Sequence, residues 1–290
     1  MSNVSRPLSE SDDGTIEERD VPTSPEELDA WLTSTEQRVS SLVAGFLTDH
    51  LISAWRRFHR SAVSLTAAGD MAVWDEFPEA WRQFVALRMA GPISGIYIDG
   101  ALSAWITAPP PPASFAPAWS AIVNDAALTY QQSATNRLVA VGDDIWREVR
   151  TLSVDAIREG ATNEVLKQGI EDLTGFSEFR ADTIGRTETV AAYNGGDMDG
   201  AKALGEFGPA EKLWLAALDA RTRETHAEAN DQVVPFDGKF MVGGVAMDRP
   251  HDPGAPPEEV VNCRCVVLFL YPGDLRPDGS IVPGESEISP

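Results

Sequence analysis

Residues 214–226 read W-L-A-A-L-D-A-R-T-R-E-T-H, and residues 262–265 read N-C-R-C. The stretch that these two pieces bracket holds both cysteines of the chain, Cys263 and Cys265, and two of its four histidines, His226 and His251. Its pattern is that of a small mixed module. Residues 211–218 alternate loosely and predict a strand, and residues 222–229 a short helix. Residues 233–236 and 239–242 flank Asp237-Gly238, the pairing expected of a hairpin turn. Residues 248–257 are a proline-rich loop, and residues 260–271 the strongest strand of the chain. On such a strand Cys263 and Cys265 would share a face.

Working outward, everything upstream reads as helix. Leu28, Trp31, Leu32, Val39, Leu42, Val43, Phe46 and Leu47 recur at three- and four-residue steps. They predict one long helix from Pro25 to about Gly69, with Ser24 as its cap and a kink near Gly45. A second helical stretch starts near Pro78. The segment G-P-I-S-G-I-Y-I-D-G at residues 91–100 is broken by glycines and reads as extended. Four prolines, Pro109 to Pro112, form a stiff spacer. A second long helix is expected from about Pro117 to Glu159, with Gly142 as its weak point. A shorter helix follows, from Thr162 to a stop at Gly175. Another, capped by Ser177, carries F-R-A-D-T-I-G-R-T-E-T-V-A-A-Y-N up to a glycine-rich break at N-G-G-D-M-D-G. One face of this last helix carries Thr187, Val190, Ala191 and Asn194, which suits close packing with specific hydrogen bonds.

The expected fold class is therefore mainly α with a small C-terminal α+β module: long N-terminal helices, then a short-strand sheet packed on helices. The expected domains are a disordered acidic arm over 1–24, a helical interaction region over 25–160, the mixed module over 161–271 and an acidic flexible tail over 272–290.

Composition narrows the function. The 290 residues include 43% hydrophobic ones, enough for a substantial core. With 45 acids against 23 bases the net charge is -22. Such a chain has no reserve of cations for neutralising phosphates, so strong direct DNA binding is not expected, nor attachment to an anionic membrane. No apolar run is long enough to cross a bilayer. Two cysteines one residue apart make no disulfide framework, which fits a reducing compartment such as the cytosol.

Three chemistries compete for the bracketed stretch. Cys263, Cys265 and His226, with His251 as a further candidate, supply soft and borderline donors for a tetrahedral zinc ion. Cys263 or Cys265 with His226 would make a nucleophile–base pair, oriented by Asp219 or Glu224, although no nucleophile-elbow or phosphate-loop signature accompanies it. The third reading is a structural polar network of Arg186, Glu188, Asn194, Asp219, Arg221, Arg223, His226, Asn262 and Arg264. In it, Asp219 and Glu188 would serve as the carboxylates that buried arginines need.

Five pieces in one order carry a resemblance. They are G-R-T-E-T at residues 185–189 with Asn194, then Trp214 with D-A-R-T-R-E-T-H at residues 219–226, then Phe240 with Gly243-Gly244, then Asp252-Pro253, then N-C-R-C. Together they resemble the phage Mu F-like minor head, or head morphogenesis, proteins over roughly residues 160–270. The resemblance implies a minor virion protein of a tailed bacteriophage, present in few copies inside the capsid near the portal. It would bind the portal protein and the major capsid or scaffold protein, and assist head assembly or DNA packaging and ejection. The N-terminal helices would provide self-association. The resemblance implies no settled enzymatic activity and no cofactor. The alternative is a virion-carried nuclease or transferase with His226 and Arg221 at its site. Some relatives carry C-x-x-C and H-x-x-C-R-C, a zinc-like set. Here Arg223 and His226 stand at the first pair, and Val260 stands at the histidine. Where relatives have a glycine after the short helix, this chain has Asn230-Asp231, residues that tolerate left-handed geometry.

Overall fold

The computed structural model describes residues 21–61, 76–158 and 163–283. Five helices come first: α1 (Pro25–Ser61), α2 (Phe77–Phe84), α3 (Ala90–Thr107), α4 (Ala116–Arg158) and α5 (Asn163–Ala203). The mixed module follows with β1 (Glu211–Leu215), α6 (Glu224–Glu228), β2 (Val233–Pro235), β3 (Phe240–Val242), β4 (Val245–Met247), α7 (Pro257–Val260) and β5 (Val266–Leu270). The expected class, mainly α with a small C-terminal α+β part, is what forms. These residues group into two compact units that alternate along the chain. Of the described residues, one comprises those within 36–92 and 131–185, and the other those within 21–35, 93–130 and 186–283.

The start of α1 follows its sequence signals. The Glu27 N–H donates to Ser24 Oγ at 3.2 Å, while the Glu27 carboxylate takes the Thr23 N–H at 2.9 Å, so the first turn is capped from both sides. Of the expected acidic arm, Val21 is buried, and residues 1–20 lie outside the described residues. So do residues 62–75, with the expected end of α1 near Gly69, and residues 159–162, with the expected boundary between the second long helix and the shorter helix starting at Thr162. Helix α1 runs through Gly45 without a break.

In the first unit Trp81 is the centre. Its ring meets Phe46 at 5.4 Å and Phe84 at 5.5 Å, and its Nε1 donates to the Leu138 carbonyl at 2.6 Å. Gly142 is where the indole seats, because a Cβ there would stand 2.0 Å from Trp81 Cδ1. The glycine that looked like a weak point in α4 is thus a socket. Gly185 has the same use: a Cβ would lie 2.2 Å from Ser40 Oγ, so α5 and α1 approach to backbone contact.

Three expectations about glycine-rich segments fail for this reason. Residues 91–100 are helical rather than extended, and Ile93, Ile96, Tyr97 and Leu102 are buried at helical spacing. A π turn at Val85–Met89 lies where the Pro92 ring would crowd the Arg88 carbonyl. Gly175 does not stop a helix, since one interior glycine costs only about 1 kcal/mol and α5 runs 41 residues through it. The N-G-G-D-M-D-G segment is also helix. Gly196 and Gly200 form its contact face in the second unit, where Cβ atoms would meet Tyr97 O at 1.7 Å and Ala101 O at 2.7 Å. Tyr97 donates its hydroxyl proton to Asp199 at 2.5 Å across the same contact. The chain turns out of α5 near Gly205, at φ +57°.

Strands β2, β1 and β5 form one antiparallel sheet in that order, and β3 and β4 a separate hairpin. The hairpin expected around Asp237-Gly238 does not form. The turn is there, closed by Gly238 N–H to Pro235 O at 2.8 Å, but β2 leaves it to pair with β1. The actual hairpin turns at Gly243-Gly244, both at positive φ, the geometry that a two-residue turn requires. Strand β5 is shorter than expected, because Pro257 to Val260 make a helical turn and Asn262 sits at φ +67°. Cys263 and Cys265 therefore precede the strand. Asp231, at φ +62°, takes the left-handed position, and the Asn230 side chain accepts the Ala216 N–H at 2.9 Å.

The tail expected to be flexible is folded as far as residue 283. Val282 is buried, and Arg276 grips the Glu211 carboxylate with two bonds of 2.7 and 2.8 Å. Arg276→Ala is expected to loosen this segment, visible as faster limited proteolysis between residues 272 and 283 with the rest of the chain still protected. Sequence gave no warning of Lys212, whose side chain is fully buried between the Phe236 and Phe240 rings with its ammonium 2.5 Å from Asp248. Removing one partner strands a charge, so Asp248→Asn should lower unfolding free energy by about 2 kcal/mol, whereas Lys212→Met, which removes the charge itself, should cost less; urea titration separates the two.

Candidate functional site

The N-C-R-C segment and the D-A-R-T-R-E-T-H segment meet beside α5, and the R-T-E-T…N residues join them. Arg186 donates to the Asn262 side-chain oxygen, and Thr187 Oγ accepts the Asn262 N–H at 2.9 Å. Two turns further along α5, Asn194 is fully buried. Its amide nitrogen donates to Cys265 O at 3.0 Å, and its amide oxygen accepts from Val267 N at 3.1 Å. A single side-chain amide thus satisfies the free edge of β5 as another strand would. The positive φ of Asn262 turns its N–H and side chain toward α5.

Arg264 extends the clasp to the start of α1. Its guanidinium donates to Asp29 and to Thr33 Oγ, each at 2.9 Å, and to Asp219 at 3.3 Å. Asp219 organises its own loop, accepting from Arg221 N at 2.8 Å and from the Thr222 hydroxyl at 3.2 Å. Burial pushes its carboxyl up, but the Arg221 N–H and guanidinium and the Thr222 hydroxyl outweigh this and hold it below the usual value. Arg223 donates to Val261 O. Of the nine residues expected in a polar network, Arg186, Asn194, Asp219, Arg221, Arg223, Asn262 and Arg264 are tied by these bonds. Glu188 is buried on α5, and His226 is buried one layer in. Asp29, Thr33 and Thr187 were not expected; nothing in a solvent-like D-x-x-x-T on α1 distinguishes it from ordinary surface.

His226 lies between the cysteines and an acid. Its Nδ1 is 3.3 Å from Cys265 Sγ and 3.4 Å from Cys263 Sγ, and its Nε2 is 2.9 Å from Glu259 Oε2. A carboxylate only accepts, so Nε2 is the nitrogen that donates to Glu259, and Nδ1 is the ring nitrogen turned to the sulfurs. Trp214 closes one side edge-on at 5.5 Å. The hydrogen bond from Cys263 and the neighbouring imidazole push the Cys265 thiol down to about 5, and the same bond together with burial pushes Cys263 up. His251 is buried, with Nε2 bonded to Cys263 O at 3.0 Å; burial pushes it down to about 3, so it is neutral near pH 7. It takes no place beside the sulfurs. Glu224, the other candidate for orienting His226, is replaced in that role by Glu259.

The three side chains adjoin a cleft with only about 10 Å3 of room, the space of one water, that Asp219, Arg221, Arg223 and Arg264 also line. That is below the roughly 300–1,000 Å3 usual for organic ligands, and its arginines are already paired. A wider open groove in the first unit, along Val141, Glu148, Leu152 and Arg180, has its charges paired internally, Arg180 to Glu148 at 2.7 Å. Chemically the C-terminal site can hold a metal ion or tie elements together; it offers little room for a substrate.

A helix tied by an asparagine and an Arg-Thr pair to a short C-R-C-headed sheet is a structural module of a definite class. Residues 147–268 match the family described as Phage Mu protein F like protein. The match begins inside α4, earlier than the motifs suggest. Two curated relatives are similar. The NAD(+)–arginine ADP-ribosyltransferase EFV of Enterococcus faecalis (strain ATCC 700802 / V583) is 29% identical over 148 residues, 50% of this chain and 30% of that protein. The minor head protein GP7 of Bacillus phage SPP1 is 30% identical over 98 residues, 33% of this chain and 31% of that protein. The aligned parts thus span under a third of either relative. No solved structure matches the chain.

Proposed function

We infer that this chain is a minor head protein of a tailed bacteriophage, acting in head morphogenesis. The observation that carries the reading is the clasp: the motif residues of the Mu F-like region go into internal bonds that join α5, the N-C-R-C turn and α1. That is how a rigid assembly module is built, and the similarity to a minor head protein points the same way. The finer proposal is a position inside the capsid near the portal, with the portal protein and the major capsid or scaffold protein as partners and self-association through the N-terminal helices. Assembly in the host cytoplasm, followed by help with DNA packaging or ejection, completes it. The net charge of -22 suits a protein that works beside packaged DNA without adhering to it. Among the described residues no helix is long and apolar enough to cross a membrane.

A second reading, a virion-carried transferase, draws on the ADP-ribosyltransferase similarity. The expected catalytic pair supports it poorly, since Arg221 is exposed and bonded to Asp219, and His226 is sealed between Cys263, Cys265 and Glu259. The test is an amber mutation of this gene in its phage, with heads purified and examined by mass spectrometry and electron microscopy. The expected result is the chain present in wild-type heads at far below the level of the major capsid protein, and a lower yield of filled heads without it. A chain missing from purified heads, with normal head yield in the mutant, overturns the proposal. Transfer of label from radioactive NAD by the purified chain would move the assignment to the transferase.

A further inference from the structure

We propose that His226, Cys263 and Cys265 bind one zinc ion through three protein donors, with Glu259 as the positioning residue and the fourth coordination place open to the cleft. The donors are His226 Nδ1 and the two sulfurs, all buried and all within 4.8 Å of one another. A tetrahedral zinc at about 2.0–2.1 Å from nitrogen and about 2.3 Å from sulfur separates those two donors by about 3.5 Å. The nitrogen stands at 3.3 and 3.4 Å from the two sulfurs, within a few tenths of an ångström of the separation a bound zinc requires. A nitrogen and two sulfurs are a borderline-soft set, which favours zinc over magnesium or calcium.

Glu259 makes the cage specific. By taking the Nε2 proton at 2.9 Å it fixes the ring orientation and the tautomer that leaves Nδ1 free, the arrangement in which a carboxylate raises the basicity of a metal-binding histidine. Glu259 is itself held by the Thr225 hydroxyl at 3.2 Å, one residue before His226. A side chain at Gly243 would collide with Glu259 Oε1 at 2.7 Å, so the turn of the β3–β4 hairpin leaves this carboxylate its place. Arg223, one helical turn before His226, donates to Val261 O and supplies no fourth donor. His226 and both cysteines adjoin the small cleft that Asp219, Arg223 and Arg264 line, and its room of about 10 Å3 takes one water as the fourth ligand. Binding releases to solvent the protons that the two sulfurs and Nδ1 hold between them and leaves two thiolates on the ion.

The test uses the full chain, purified under reducing conditions, stripped by chelator and titrated with zinc and with cobalt(II). The expected result is one zinc per chain by elemental analysis, and with cobalt the intense visible bands of a tetrahedral ion plus sulfur-to-cobalt charge-transfer absorption. Cys265→Ser is expected to abolish the charge-transfer band. Glu259→Gln should keep the tetrahedral spectrum and weaken zinc binding by roughly 10–100-fold. Should Cys265→Ser fail to fold, protection decides: zinc must slow alkylation of both wild-type thiols, and chelator must restore it. A folded, reduced chain that takes up neither metal overturns the proposal. So does a Glu259→Gln variant with unchanged affinity, because the positioning role would then be absent.

Discussion

Asn194→Ala is expected to lower the unfolding free energy by about 3 kcal/mol, read from urea titration of the full chain. The figure follows from what the truncation strands. Cys265 O and Val267 N both lose their partner in a site with no exposure, and each buried orphan costs about 1–3 kcal/mol. Asn194→Asp tests the geometry separately. It keeps an oxygen for the Val267 N–H but presents a carboxylate to the Cys265 carbonyl, so it should cost at least as much as alanine despite near-identical shape. A loss under about 1 kcal/mol for both variants would mean that α5 and β5 are held by apolar packing alone.

Gly196→Ala is expected to cost about 3 kcal/mol as well, against the helix preference that would normally favour alanine by about 1 kcal/mol. The added Cβ would sit 1.7 Å from the Tyr97 carbonyl oxygen and 3.0 Å from Ala101 N, both backbone atoms, so α3 and α5 must separate. Separation also stretches the Tyr97–Asp199 hydrogen bond. Gly45→Ala is the matched control. Gly45 is exposed in α1 with nothing within 4 Å of a Cβ, and should be neutral or stabilising by up to about 1 kcal/mol. Thermal or urea unfolding of the pair reads out the difference. Equal effects would show that close helix contact is not why α5 carries glycines there.

These two residues also mark where the sequence could and could not be read. Helical stripes were legible because burial imposes a period: Leu28, Leu32, Val39, Val43 and Leu47 are all core. Glycines were not, because the same residue serves as a turn at Gly243-Gly244 and as a contact face at Gly196 and Gly200, and only the neighbouring backbone decides which. Strand pairing failed similarly at Asp237-Gly238. A local turn signal cannot tell whether the strand leaving it will pair with its neighbour or with β1. In the site, the types Arg, Asp, Asn and His pointed to polar bonding, and Asp219 accepts from the partly buried Arg264 at 3.3 Å. Asp29, Thr33 and Glu259 were invisible, since their partners are brought by the fold from far along the chain. The cysteines were expected to converge because of strand alternation. They converge instead from a turn ahead of β5, held by the left-handed Asn262 and by the Asn194 bond to Cys265.

The claim at the centre is that the R-T-E-T…N helix and the N-C-R-C turn are one clasped unit. Native-state hydrogen exchange of the Asn262 and Val267 amides tests it most directly, because each donates to a side chain of α5 rather than to another strand. The account predicts slow exchange for both in the full chain. It further predicts that Thr187→Val accelerates Asn262 while leaving Val267 protected, and that Asn194→Ala accelerates Val267. Exchange of either amide at the rate of exposed backbone in the unsubstituted chain, or rates indifferent to both substitutions, would contradict it.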